Sequence, residues 1–175
     1  MFIQTITKSD FANVDKLIYD TFTQSKQGYN NEVELINKIR KDKSYVPELE
    51  LIALDDSNQI ISYGLLSEVN IVNNSQDFLG LILAPLVVSP TAQDKKVVET
   101  LLAILEHRAK QLGYNYISIL NHTNYSPQFG YEPASKYKVK APFKISSRKF
   151  MIKSLNSSGL VGISGTLLLS KAFEK

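Results

Sequence analysis

The sequence contains no cysteine among its 175 residues. This absence excludes disulfide bonds, thiolate metal ligands, a cysteine nucleophile and an acyl-thioester formed on the protein. Histidine occurs only twice, so we expect no zinc site and assign no metal ligands. Any group transfer carried out by this chain must proceed without a thiol intermediate.

Long apolar runs are also missing. The longest, Phe78 to Val88, contains a proline and is far shorter than the roughly 20 residues that a membrane-spanning helix needs. The first ten residues have no basic region and no small-residue cleavage site, so no secretory signal is expected. We therefore predict a protein without a membrane span and with a cytoplasmic location.

Acidic residues are scarce near the C-terminus. Residues 1–132 include 11 basic and 16 acidic residues, a net charge of −5, whereas residues 133–175 include 9 basic residues and one acid, a net charge of +8. Such a segment attracts phosphates, nucleic acid or an acidic ligand, but a solvated lysine face is the simpler interpretation. Nucleic-acid binding is disfavoured because the segment has one arginine and no recognisable nucleic-acid motif.

The composition is that of a globular protein. Hydrophobic residues make up 43% and charged residues 21% of the chain, and this length suits one domain with a substantial core. We predict a single domain over residues 1–175. The expected order of elements is a strand, two helices, three strands, a long helix, a strand and further short strands. This order indicates an α/β (α+β) domain with a mixed, mostly antiparallel sheet.

The spacing of apolar residues predicts helices from Phe11 to Phe22, from Asn31 to about Lys43, and from Val97 to Leu112. Ser9 is the expected N-cap of the first helix, and Asn31 with Glu34 has the outline of a capping box for the second. Gly113 stands where a left-handed glycine commonly ends a helix.

Strands are predicted at Phe2–Ile6, Leu49–Leu54, Ile60–Val72, Phe78–Val88 and Tyr114–Leu120. The run from Phe78 to Val88 is too continuously apolar for a strand with one solvent-exposed face, so we expect it at the centre of the sheet. Pro85 cannot donate to a strand ladder, which predicts a bulge or a point where pairing stops.

Four landmarks resemble the small bacterial branch of the GCN5-related N-acetyltransferase (GNAT) superfamily. They are the LAPLVV strand at Leu83–Val88, the helix opening at Pro90–Gln93, the FGY element at Phe129–Tyr131 and the segment Gly162–Thr166. The resemblance covers nearly the whole chain. It implies a GNAT-like fold, with a sheet splayed at a bulged fourth strand and flanked by helices, and it implies acetyl-CoA as co-substrate.

The resemblance also implies where acetyl-CoA binds. The cofactor-binding residues would be Leu86, Val87 and Val88 on the strand and Gln93, Lys95, Lys96, Val97 and Val98 at the start of the long helix. Lys96 and Val98 stand where the family has glycines, and Asp94 adds negative charge near the expected diphosphate. Lys95 and Lys96 can offset these changes by pairing with phosphates.

Three residues are candidates for proton transfer. In the family, a tyrosine four residues before the glycine of the GF element commonly donates the proton to the departing thiolate. Ser126 holds that position here, so the adjacent Tyr125 is the candidate acid. Glu68, on the third predicted strand, and His122, just after the fifth, are candidate general bases. Each candidate also has a simpler interpretation. Tyr125 would be a packing residue, Glu68 an exposed charge on a strand, and His122 an ordinary loop histidine.

The sequence thus predicts an acyl-CoA-dependent N-acyltransferase that moves an acetyl group from acetyl-CoA directly to a primary amine. The acceptor would be a small molecule or a peptide. The alternative is a catalytically impaired GNAT-fold protein that serves as a binding or regulatory module. The sequence leaves the oligomeric state open, with a homodimer as one of the alternatives.

Overall fold

The computed structural model describes residues 1–92, 94–121 and 129–174. The chain divides into two compact units, the first made of Met1–Leu66 and Pro85–Arg108 and the second of Ser67–Ala84 and Ala109–Lys175. Across the described ranges, every helix is too short or too polar to cross a membrane.

The described residues form a mixed, mostly antiparallel sheet flanked by helices, as predicted. The helices are α1 (Phe11–Thr23), α2 (Glu32–Lys41) and α3 (Lys95–Gln111). The strands are β1 (Phe2–Thr5), β2 (Glu50–Leu54), β3 (Ile60–Val72), β4 (Asp77–Val88), β5 (Tyr116–Leu120), β6 (Glu132–Pro133), β7 (Val139–Lys140), β8 (Phe150–Ser154) and β9 (Gly165–Leu168).

In the first unit, β1 pairs with β2 and β2 with β3, both antiparallel. The two short helices bury their apolar residues at three- and four-residue spacing, as Val14 and Ile18 on α1 illustrate. Gly64 on β3 permits α3 to lie close to the sheet, because a Cβ at this position would be 2.9 Å from the Leu105 side chain. The sheet and α3 therefore pack without a gap at this strand.

In the second unit, β4 pairs in parallel with β5 through Leu81–Ile117 and Ile82–Ser118. Strand β8 joins β5 to β6, and β9 lies antiparallel to β3 and parallel to β7. Within the described residues of this unit, the β4–β5 ladder ends at Ile82, three residues before Pro85. The two strands are thus paired over a short stretch only.

Tyr116 fixes the contact between β4 and β5 in the second unit. Its ring covers Gly80, where a Cβ would lie 2.2 Å from the ring carbons. Its hydroxyl donates a hydrogen bond to the Phe78 carbonyl at 2.7 Å, and burial raises the pKa of this phenol. The tyrosine therefore remains a neutral donor at physiological pH.

Two helix caps differ from the prediction, although α1 starts at Phe11 as expected. A 3₁₀ turn, Lys8–Asp10, precedes α1, and the carboxylate of Asp10 accepts bonds from the N–H and the hydroxyl of Thr7, each at 2.9 Å. Thr7 rather than Ser9 thus begins the helical segment, because the 3₁₀ turn moves its start upstream. Asn31 precedes α2 in the left-handed conformation (φ 62°) and makes no side-chain cap. The capping box does not form, because Glu34 accepts the Tyr29 hydroxyl instead, at 2.5 Å.

Several ends are also shifted by short turns. Strand β3 has the predicted bounds, whereas α2 ends at Lys41 rather than Lys43. Strand β2 begins at Glu50 because Leu49 closes a 3₁₀ turn that starts at Pro47. Strand β5 begins at Tyr116, two residues later than expected.

Candidate active site

The end of β4 has one backbone edge turned toward β3 and one turned away from it. Ser62 donates its hydroxyl to the Val87 carbonyl at 2.7 Å, and the Ser89 N–H donates to the Ile61 carbonyl at 2.8 Å. Successive residues of a strand direct their backbone groups to opposite sides. The N–H and C=O groups of Leu86 and Val88 therefore point to the edge away from β3.

This orientation separates the three predicted strand residues. An extended ligand that runs along the edge can exchange hydrogen bonds with Leu86 and Val88, much as an added strand does. The carbonyl of Val87 is already bonded to Ser62, on the opposite side. Val88 is thus better placed than Val87 to donate an N–H to a bound carbonyl group.

The first turn of α3 is capped by a carboxylate. Asp94 Oδ1 accepts the Lys96 N–H at 2.9 Å, and the Asp94 carbonyl accepts the Val97 N–H at 3.0 Å. A helix N-terminus offers free N–H groups and a positive dipole end to an anion. Here one of those donors, the Lys96 N–H, is satisfied by Asp94, so a diphosphate at this position would meet a negative charge.

The valines at the expected glycine motif contribute to the core. Val97 is 7% exposed and Val98 is 8% exposed, whereas the Lys96 side chain is exposed to solvent. Gln93 and the side chain of Lys95 lie outside the described residues. The start of α3 therefore combines a buried apolar face with an exposed ammonium group.

Glu68 is half-buried on β3. Its carboxylate accepts a hydrogen bond from the Tyr114 hydroxyl at 2.6 Å. Tyr114 also lines a cavity of about 400 Å³ formed by residues 77–79, 112–115 and 163. An ionised carboxylate has about four lone-pair sites, so one bound hydroxyl does not exclude a role as base. That role stays a prediction.

The FGY element forms a turn held by a lysine. Gly130 has φ +84°, a conformation that favours glycine. Lys153, on β8, donates its ammonium to the Phe129 carbonyl at 2.7 Å and lies 5.6 Å from the centre of the Tyr131 ring. This part of the landmark thus has a fixed geometry.

The other proton-transfer candidates cannot be placed in the same way. His122, Tyr125 and Ser126 lie outside the described residues, and their roles stay predictions. Among the residues that are described, no group of three His, Asp or Glu side chains is arranged to hold a metal ion.

Relatives of the chain carry acetyltransferase names. The chain is 22% identical over 175 residues to the N-acetyltransferase YhbS of Escherichia coli K12, covering all of this chain and 99% of that protein. It is 27% identical over 139 residues to the N-acetyltransferase YjhQ of the same organism, covering 79% of this chain and 74% of the relative. Neither relative has a characterised activity. No family model matches the chain.

Solved structures share the fold over the full length. A crystal structure of the GNAT family N-acetyltransferase YhbS from Escherichia coli in complex with CoA matches with a TM-score of 0.86 at 22% identity, covering 99% of this chain and 92% of the other. The chain has the GNAT fold. A GNAT family acetyltransferase from Brucella melitensis in complex with acetyl-CoA matches with a TM-score of 0.76 at 18% identity, covering 99% and 97%.

The GNAT-like fold inferred from the sequence landmarks is therefore confirmed, and the relatives named N-acetyltransferase agree with the resemblance.

Sequence analysis did not predict a carboxylate that is buried in the first unit. Glu50 is fully buried, and its carboxylate accepts hydrogen bonds from Arg40 at 2.6 Å, from Tyr63 at 2.7 Å and from Tyr45. Burial, with the Glu50 carboxylate, raises the pKa values of both tyrosines, so they act as neutral donors. The signal in the sequence was an acid placed between Leu49 and Leu51 in an apolar run.

Proposed function

We propose that the protein transfers an acetyl group from acetyl-CoA directly to the primary amine of a small-molecule or peptide acceptor. The observation that carries the proposal is the full-length match, at a TM-score of 0.86, to a GNAT structure solved with CoA. The backbone edge at Leu86 and Val88 supports it, because it offers main-chain donors and acceptors to an extended ligand.

The proposed binding site uses the end of β4 and the start of α3, both in the first unit. Leu86 and Val88 bond the amide groups of pantetheine, and the Val88 N–H polarises the thioester carbonyl. Lys95 and Lys96 neutralise the diphosphate with their ammonium groups. Val97 and Val98 hold the helix start against the core, and Gln93 completes the motif.

The reaction requires two proton transfers and no covalent intermediate on the protein. Glu68 or His122 accepts one proton from the acceptor's ammonium group, which leaves a neutral amine. The amine nitrogen attacks the thioester carbonyl carbon, so a C–N bond forms and the C–S bond breaks. The proton displaced from nitrogen ends on sulfur, with Tyr125 as the acid. The products are an acetamide and the free thiol of CoA.

A catalytically impaired module is the second candidate function. The Asp94 carboxylate at the N-terminus of α3 favours it, because this charge opposes the diphosphate. Lys96 and Val98 also occupy the positions of the family's glycines. This protein would bind CoA, with weaker phosphate contacts, and would not transfer the acetyl group.

A CoA titration tests the binding step. We expect heat of binding by calorimetry and shifted NMR signals for the backbone amides of residues 86–98. Unchanged amide signals at millimolar CoA would contradict the proposed site.

Thiol release from acetyl-CoA with a panel of amines separates the two functions. If the protein is an acyltransferase, wild type should release the thiol of CoA. Glu68→Gln or Tyr125→Phe should lower the rate of release by roughly 10²- to 10⁴-fold if that side chain serves as the base or the acid. Ser126→Tyr should raise the rate if a missing acid limits transfer. CoA binding without acetylation of any amine would favour the impaired module.

Three further predictions belong to this proposal. They are a cytoplasmic location, a single domain over residues 1–175, and a homodimer as one of the two simplest oligomeric states. Microscopy of a tagged protein, limited proteolysis and light scattering test them in turn. The identity of the acceptor is left to the amine panel.

A further inference from the structure

The cavity of about 400 Å³ in the second unit opens between the start of β4 and the turn that follows α3. Much of its wall is apolar, because the side chains of Phe78, Leu79, Leu112 and Ile163 line it. Leu79 and Leu112 are each 48% exposed, so two large apolar side chains face solvent at this opening. Pockets for small molecules commonly have apolar walls and volumes of roughly 300–1,000 Å³.

The walls of the cavity are held by hydrogen bonds. Tyr116 donates its hydroxyl to the Phe78 carbonyl at 2.7 Å, which fixes the start of β4. The Gly113 N–H donates to the Lys110 carbonyl at 3.1 Å, which fixes the turn after α3. The space beside Gly113 is open, because a Cβ built on this residue would meet no other part of the protein within 4 Å. A ligand therefore finds walls that are already in place, which lowers the entropy cost of binding.

Asp77 supplies a negative charge to the cavity. It lines the opening and is exposed, and within the described residues its carboxylate has no hydrogen-bond or ion-pair partner. Other acids of this unit are engaged, since Glu68 accepts the Tyr114 hydroxyl. Glu132 likewise pairs with Lys136. Asp77 is thus available to a ligand.

The sign of this charge selects the ligand. Residues 133–175 have a net charge of +8 and would favour an anion, but no lysine or arginine is among the described residues that line the cavity. The attraction between opposite charges is stronger where apolar side chains exclude water. A carboxylate beside apolar walls therefore suits a cation that also has an apolar part.

We propose that this cavity is a second binding site, for a small molecule that carries an ammonium group on an apolar body. The apolar body lies against Phe78, Leu79 and Leu112, and the ammonium group pairs with the Asp77 carboxylate. None of the cavity's residues belongs to the proposed acetyl-CoA site, which uses residues 86–88 and 93–98. The inference goes beyond the proposed function and does not depend on acetyl transfer.

A tertiary amine tests the site separately from the acceptor. The probe is N,N-dimethylphenethylamine, whose nitrogen carries three carbon substituents and so cannot form an amide by acetyl transfer. Phenethyl alcohol is its uncharged counterpart. Asp77→Asn removes the charge and Leu112→Gln removes part of the apolar wall. Glu99→Gln and Leu168→Gln are the matched controls, because both residues are exposed and neither lines the cavity. The readouts are the Kd and the amide NMR signal of Gly113.

We expect the amine to bind wild type with a millimolar Kd and to shift the Gly113 signal. Asp77→Asn should weaken amine binding by about three- to fivefold, the range for an exposed ion pair, and should leave alcohol binding unchanged. Leu112→Gln should weaken the binding of both probes. The two control variants should change neither Kd by more than about 1.5-fold, since exposed sites away from a ligand contribute little.

Three results would overturn the inference. The first is an unchanged Gly113 signal at millimolar amine, and the second is a set of shifts confined to residues 86–98, which would place the probe at the proposed acetyl-CoA site. The third is equal binding of amine and alcohol by wild type, a comparison that still decides if Asp77→Asn unfolds. Failure of the proposed function looks different, because absent thiol release from acetyl-CoA would leave the Gly113 shift in place.

Discussion

The guanidinium of Arg40, on α2, donates two hydrogen bonds to a single carboxylate oxygen of Glu50, on β2, at 2.6 and 2.9 Å. The Arg40 side chain is 7% exposed and the Glu50 side chain is fully buried. The Phe11 ring lies against one face of the guanidinium, with its centre 3.7 Å from Arg40 Cζ. Helix α2 is thus attached to the sheet of the first unit by a charge pair that is almost fully buried.

Loss of either charge should destabilise the protein strongly. We expect Arg40→Met to lower the free energy of unfolding by about 3–5 kcal/mol, because it leaves the Glu50 carboxylate buried without its counter-charge. Lys16→Met is the control, since Lys16 pairs with Asp20 in an exposed position and should cost less than about 1 kcal/mol. Urea unfolding measures both. Equal losses would contradict the importance of burial.

Asp94 should oppose CoA binding. We expect Asp94→Asn to tighten CoA binding by about fivefold, roughly 1 kcal/mol, because the charge near the diphosphate is removed. Asparagine also caps helices, so the unfolding free energy should hardly change. Glu99→Gln removes a charge further along α3 and should have a smaller effect. Calorimetry with CoA decides, and weaker binding by Asp94→Asn would refute the prediction.

The two lysines at the start of α3 should supply much of the phosphate affinity. We expect the double change Lys95→Ala and Lys96→Ala to weaken CoA binding by roughly 1–3 kcal/mol, the scale of lost charge-assisted hydrogen bonds. Lys110→Ala, in the last turn of the same helix, is the matched control. Undiminished affinity in the double variant would mean that the phosphates bind elsewhere.

Asp15 should make stability fall as the pH rises. Burial raises the pKa of its carboxyl above the ordinary value of 3.8, Glu34 and Glu50 add to this, and Arg40 opposes it. The folded state then binds more protons than the unfolded state between 3.8 and the raised pKa, so ionisation of Asp15 costs stability across this window.

The replacement Asp15→Asn removes that cost. We expect its stability relative to wild type to increase from pH 3.5 to pH 7, as measured by urea unfolding at both values. A difference that is the same at both pH values would show that Asp15 titrates alike in the folded and unfolded chains.

Local patterns predicted the elements whose determinants are local. Strand β3 has the expected bounds because apolar residues and the turn-forming Asp55–Gln59 segment mark them in the sequence. Helix α1 starts at Phe11 as predicted. The expected cap at Ser9 was wrong by two residues, because the Thr7–Asp10 contact depends on a 3₁₀ turn that residue preferences do not reveal.

The candidate site was only partly predictable. The landmark at Leu83–Val88 indicated the strand. Which of Val87 and Val88 turns its backbone toward β3 follows only from contacts such as the bond from the Ser62 hydroxyl to the Val87 carbonyl, 25 positions away. The Glu50 cluster joins Glu50 to residues 5 to 13 positions away, which lie outside β2, so no local pattern encodes it. Sequence spacing says which residues share a face, and packing decides which of them meet.

The Tyr116 ring occupies the space that a side chain at position 80 would need, and this has an evolutionary consequence. A side chain at position 80 would overlap the Tyr116 ring, since its Cβ would lie 2.2 Å from the ring carbons. A lineage can therefore enlarge residue 80 only after position 116 has become small, and the reverse order passes through a poorly folded intermediate. The two positions should change together and in one order, so descendants of this chain are expected to inherit the small and the large residue as a pair.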